Sequence, residues 1–122
     1  MSAFEKRTVA ISTEHEVMLK RIQRQFDFSQ EQDAYKFALG FAIAKKIDTS
    51  TTSMHLQRTT KWASGNFDVN GEVSSLILTL YPQAEDIRLQ AMALAEAGLA
   101  RINDLLNDNE EIDTLSELLE VN

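Results

Sequence analysis

Between Asp33 and Ile47 the chain reads Asp-Ala-Tyr-Lys-Phe-Ala-Leu-Gly-Phe-Ala-Ile-Ala-Lys-Lys-Ile. Ala34, Phe37, Ala38, Phe41 and Ala42 recur at helical spacing, and Tyr35, Leu39 and Ile43 cover the flank beside them. After Asp33, Lys36 is the only charge before Lys45, so little of this helix can face water. A helix that is apolar nearly all round must be enclosed by the rest of a small protein. Ser29 with Gln32 reads as a capping box at its start. Lys45-Lys46 closes it ahead of the polar run Asp48–Ser53, giving a helix from about Gln30 to Lys46.

The 122 residues suffice for one domain with its own core. It divides into a strand–helix–helix segment over 1–47, a helical second half over 54–106 and an acidic tail over 107–122. The chain has no cysteine, hence no disulfide, thiolate metal site or cysteine nucleophile. The N-terminal Met-Ser-Ala-Phe-Glu-Lys-Arg-Thr lacks the apolar core of a signal peptide. No uncharged apolar stretch approaches the roughly 20 residues that span a bilayer. These features fit a cytoplasmic protein without a membrane role. The net charge of −7 is unevenly placed. Residues 1–62 hold ten Lys/Arg against seven Asp/Glu, a balance of +3, whereas residues 63–122 hold two against twelve, a balance of −10. An anionic partner would have to meet the first half.

Arg7-Thr-Val-Ala-Ile-Ser12 is β-branched and roughly alternating, the pattern of a short strand. Thr13 at a cap with Glu16 three residues on predicts a helix start, with Met18, Leu19, Ile22 and Phe26 as its apolar face. Asp27-Phe28 ends that helix. In Lys61-Trp-Ala-Ser-Gly-Asn-Phe67 an extended piece would fold Trp62 and Phe67 back onto the core. Asn70-Gly71 marks a turn, followed by a helix from Glu72 to Tyr81 with Val73, Leu76, Ile77 and Leu80 on one face. After Pro82 a long helix runs from about Glu85 to Leu106. Gly98 lies inside it, either at a cost of about 1 kcal/mol relative to alanine or because a neighbour approaches closely. Ile112, Leu115, Leu118 and Leu119 have the spacing of a short amphipathic helix in the tail.

The expected fold is mainly α: a single domain of four to five helices with one or two short strands, whose N-terminal strand–helix–helix resembles a ribbon-helix-helix unit. A lone strand needs a partner. In a ribbon-helix-helix dimer that partner is the strand of a second copy, and ribbon side chains enter the DNA major groove. Homodimerisation would then use Val9 and Ile11 on the strand, or Phe37 and Phe41 on the central helix. Lys6, Arg7, Lys20, Arg21 and Arg24 would face phosphates. The other arrangement pairs the strand with residues 54–68 of the same chain and leaves the basic residues as a solvated face.

His15 and His55 are the only histidines, and without cysteine they read as surface or capping residues, with no metal and no cofactor. Asp68-Val-Asn70-Gly71-Glu72 departs from a calcium loop, since glycine comes fourth instead of sixth and Thr79 stands at the bidentate-glutamate position. A turn entering a helix explains it. No serine lies in a nucleophile motif and no glycines form a phosphate loop, so no catalytic residue is assigned.

The order of features over residues 35–102 resembles the small accessory proteins of bacterial DNA phosphorothioation (Dnd) systems. After an N-terminal strand and helix come the Phe37-Ala-Leu-Gly-Phe41 helix, a loop with Lys61-Trp62 and Phe67, and a leucine-rich helix ending near Tyr81. In the long last helix, Ala95-Glu96-Ala97-Gly98-Leu99 resembles the family's alanine/asparagine-x-glycine-leucine stretch. The resemblance implies a role beside DNA modification or restriction, in anti-phage defence, and carries over no catalytic residue. The function expected is a non-enzymatic accessory protein touching DNA phosphates through its N-terminal half. The alternative is a protein–protein interaction subunit whose acidic surface, Glu110, Glu111 and Asp113 included, docks a larger basic partner without nucleic-acid contact.

Overall fold

The computed structural model describes residues 8–50, 58–108, 112 and 114–120. Two strands and six helices occur in the order β1 (Thr8–Ser12), α1 (Thr13–Gln25), α2 (Glu31–Ala44), β2 (Arg58–Ala63), α3 (Ser64–Phe67), α4 (Glu72–Leu80), α5 (Ile87–Asp108) and α6 (Leu115–Glu120) among the described residues. A single 3₁₀ turn, Val69–Gly71, precedes α4. The chain is therefore mainly helical, with the strand–helix–helix order expected of its first third.

α5 is the main cover of α2, and α1 packs against both. The faces that meet are small: Ala34, Ala38 and Ala42 on α2, and Ala91, Ala95 and Gly98 on α5 are all buried. At Gly98 a Cβ would lie 2.0 Å from the carbonyl oxygen of Ala38, so the backbones touch and only glycine fits. Close approach is thus the reason for this glycine. Leu94, Leu99, Ile102, Leu106, Leu19, Ile22 and Tyr35 close the core on either side of the seam. Enclosure of α2 is incomplete, because Gly40 and Ala44 face outward.

β1 pairs antiparallel with β2 of the same chain, so the strand's partner is intramolecular and not a second copy. Alternation turns Val9 and Ile11 inward, at 1% and 0% exposure. The register slips between Val9 and Ala10, leaving Lys61 as the extra residue of a bulge. Its ammonium reaches Glu31 Oε2 at 2.7 Å and Glu16 Oε1 at 3.5 Å, tying the ribbon to α1 and α2. Trp62 and Phe67 fold back as expected, their rings 5.0 and 5.5 Å from that of Tyr35.

Several helix ends differ from expectation in instructive ways. Ser12, not Thr13, caps α1: its backbone is still extended (φ −68°, ψ 153°) and its Oγ accepts from His15 N–H at 3.1 Å. Gln30 stands at the α2 cap with no side-chain bond, and Ser29 instead reaches Asp33 Oδ2 at 3.4 Å. At their C-termini α1 and α2 both close with a left-handed residue, Asp27 and Lys46. Bonds from Phe28 N to Gln23 O (3.0 Å) and from Ile47 N to Ala42 O (3.0 Å) complete the Schellman pattern. Asp68, the first residue of the calcium-loop lookalike, is a buried helix cap. Its Oδ1 accepts from Val73 N at 2.8 Å and Ser74 N at 3.2 Å, and Ser74 Oγ donates to Oδ2.

α4 departs most from expectation. Ile77 is buried and Val73 half-buried, but Leu76 and Leu80 stand 42% and 46% exposed. One edge of α4 meets α5, and its remaining apolar residues face out. The tail helix docks: Leu118 is fully buried, Lys45 Nζ donates to Leu119 O at 3.0 Å, and Gln25 Nε2 donates to Ile112 O at 2.6 Å. Among the described residues no helix is long and apolar enough to cross a membrane.

Candidate functional site

Of the residues expected to face phosphates, Lys6 and Arg7 lie outside the described residues, as do His55, Glu110, Glu111 and Asp113. Lys20 and Arg24 are exposed on α1, with Lys20 Nζ 3.5 Å from Glu16. Arg21 is committed elsewhere. Its guanidinium donates to Asn103 Oδ1 at 2.9 Å and Asn107 Oδ1 at 2.6 Å, because successive turns of α5 offer it two carboxamides. Lys20 and Arg24, four residues apart, share an exposed face of α1, and only Arg21 is drawn away to α5. Among the expected dimer contacts, Val9, Ile11 and Phe41 are covered by the chain's own helices, and only Phe37 is half-exposed, against Phe28.

The fold assembles a different constellation beneath the ribbon. Glu96, in the middle of α5, has no exposed surface and holds the Arg58 guanidinium through both carboxylate oxygens, Nη2 to Oε1 at 2.9 Å and Nη1 to Oε2. Arg58 Nη1 also lies 3.4 Å from the Ala10 carbonyl. His15 Nδ1 is 3.5 Å from Glu96 Oε1 and 2.5 Å from Ser12 Oγ. A second arginine, Arg88 of α5, donates to Thr8 O at 2.9 Å. One carboxylate and two guanidinium groups thus fasten both strands to α5. A charge-paired, bidentate contact is the form in which a buried ion pair is tolerated.

Tyr35 lies beside this cluster, fully buried. Burial pushes its phenol well above the ordinary tyrosine range, the negative charge of Glu96 adds to the effect, and Arg58 and Arg88 oppose it. At Lys61 burial works against the charge, but the hydrogen bond and charge of Glu31, with help from Glu16, outweigh it and raise the pKa. The cluster's carboxylate, guanidinium, imidazole and hydroxyl are used on one another, which makes it a structural lock. Among the described residues no three His, Asp or Glu side chains are placed to hold a metal ion.

No protein-family model, curated protein or solved structure matches this chain. Glu96 and Arg58 are the residues that reading the sequence missed. One signal was present: Glu96 is the only charged residue between Arg88 and Arg101, where Gln90 is the only other polar side chain.

The outward surface carries the remaining feature. Among the described residues, Val17 is the one strongly exposed large apolar side chain of the first half, whereas Val69, Leu76, Leu78, Leu80, Leu89 and Leu119 all belong to the second. Leu76 and Leu80 share one side of α4 by helical spacing, whereas Val69 lies in the 3₁₀ turn, separated from the helix by the positive φ of Asn70 and Gly71. Leu80 also lines a cleft of about 340 Å³ with Tyr81, Ile43, Ile47 and Lys46, where the C-terminal ends of α2 and α4 meet.

Proposed function

We propose that this chain is a non-enzymatic interaction subunit that docks a larger, cationic protein partner on its second half. The kind of assembly suggested by its sequence resemblance is a DNA modification or restriction system. The observation that carries the reading is the coincidence of the uncovered leucines with the acidic half. Apolar side chains kept in water are a recurring mark of protein contacts. The −10 balance of residues 63–122 repels anionic surfaces and attracts basic ones. Phosphate contact is less well supported, since Arg21 serves α5 and Glu16 accompanies Lys20.

The test pairs two measurements. Tagged protein is used to isolate a stoichiometric partner, and binding to that purified partner is then measured over a salt series. Expected is binding that weakens with salt and falls about tenfold, or about 1.4 kcal/mol, when Glu72, Glu85, Glu110, Glu111 and Asp113 are neutralised together. Alongside, duplex DNA at low salt should not be shifted. A DNA complex whose affinity falls steeply with salt and is lost in Lys20→Glu/Arg24→Glu would overturn the proposal in favour of phosphate contact.

A further inference from the structure

We infer that Asn70 is a site of spontaneous deamidation whose reaction is gated by the turn that starts α4. Asn70-Gly71 is the only asparagine–glycine pair in the chain. Asn70 is exposed, and the glycine after it has no Cβ to hinder attack on the side chain. The reaction needs only water. The Gly71 backbone nitrogen gives up its proton and attacks Asn70 Cγ; the N–Cγ bond forms as the Cγ–Nδ2 bond breaks, and ammonia leaves. Water then opens the cyclic imide. Cleavage of the bond to Cγ gives aspartate. Cleavage of the bond to the main-chain carbonyl gives isoaspartate, whose backbone runs through Cβ and is one methylene longer.

The folded turn opposes the first step in two ways. Gly71 N–H donates to Asp68 O at 3.0 Å, so its proton is held. At φ 59° and ψ 16° of Asn70, the Gly71 nitrogen is nearly eclipsed with the Asn70 nitrogen and turned away from Cβ, where ring closure needs it. Rotation about that bond is blocked by contacts that span it. Glu72 N–H donates to Val69 O, and Val73 N and Ser74 N both donate to Asp68 Oδ1. Cyclisation therefore waits for the first turn of α4 to open, and its rate follows the open population. Once isoaspartate forms, the extra methylene lies inside each of those hydrogen-bonded rings. The Asp68 cap then no longer meets the same amides, and α4 stays loosened.

The experiment incubates the full chain at mildly alkaline pH, where loss of the amide proton drives the reaction, in native buffer and in urea. Conversion is read as a gain of negative charge and assigned by mass mapping of the peptide that carries Asn70. Expected is a rate about tenfold or more lower in the folded chain than in urea. Asp68→Ala, which unties the cap, should speed conversion in native buffer while helical circular dichroism is kept. If that variant does not fold, Ser74→Ala takes its place, since it removes only the hydroxyl that donates to Asp68 Oδ2. The isolated isoaspartyl form should show faster hydrogen exchange across α4 than Asn70→Asp, which carries the same charge on a backbone of native length. No conversion of Asn70 in urea would overturn the site. Equal rates in the folded and unfolded chain, or a rate unmoved by loosening the cap, would overturn the gate. Protection of α4 in the isoaspartyl form equal to that in Asn70→Asp would overturn the lasting effect on the helix.

Discussion

Glu96 shows how one residue can set the terms for a whole fold. Its carboxylate lies at the centre of an apolar helix, so it must bring its countercharge with it, and Arg58 arrives from the far end of a ribbon. Removing one member of a buried pair leaves the other desolvated without its partner, at a cost of about 3–5 kcal/mol. Glu96→Leu should therefore lower the urea midpoint sharply, and adding Arg58→Met to it should recover part of the loss. A double-mutant cycle with no coupling would show that the pair does not act as a unit. Tyr35 supplies a prediction about pH. Its folded pKa is raised, chiefly by burial, so the folded chain keeps a proton that the unfolded chain gives up. That contribution is complete below about pH 10, the ordinary tyrosine value, and declines as pH rises beyond it. In Tyr81→Phe, where Tyr35 is the only tyrosine, phenolate absorbance should appear together with the loss of helical circular dichroism and not before it.

At the scale of elements, α2 and α5 meet along a seam of alanine and glycine that brings their backbones together. Gly98→Ala would drive a Cβ into the Ala38 carbonyl, and backbone cannot swing aside as a side chain can. The expected loss is about 1–3 kcal/mol or more, as for other overpacked cores. Gly40 on α2 is the matched control, exposed with no atom within 4 Å of an added Cβ. Gly40→Ala should raise stability by about 0.5–1 kcal/mol through helix propensity and a less flexible unfolded chain. Thermal melts of the two variants, shifted in opposite directions, would check the seam. α4 is the counterpart of this pair. It is firmly started by Asp68 yet covered on one edge only.

In the whole molecule, contacts far apart in sequence hold the periphery to the α2–α5 centre. Arg21 and Gln25 of α1 reach residues more than eighty positions on, and Lys45, just past α2, donates to Leu119 of α6. The tail helix is part of the fold, and Leu118→Ala should cost about 2–5 kcal/mol, as other fully buried leucines do. A melting temperature unchanged by that substitution would mean that α6 is not docked. Leu119→Ala, at a position 46% exposed on the same helix, should have little effect and serves as the comparison.

The sequence by itself determined the longer helices, because periodicity and turns are local: the apolar stretch after Asp33, the Asn70-Gly71 turn and the ends at Asp27 and Lys46 all follow from neighbours a few residues apart. It also determined that α2 needs covering and that Gly98 is either costly or required. Only the tertiary structure decided which of those two held, which strand β1 pairs with, and which leucines of α4 are left outside. It alone joined Glu96 to Arg58 and His15, and His15 in turn to Ser12, and took Arg21 away from any phosphate surface. Each of those outcomes depends on where distant segments land, and a charge on an apolar helix face announces a partner without naming it. Periodicity marks the apolar side of a helix. What lies against that side is settled by the packing of the whole chain.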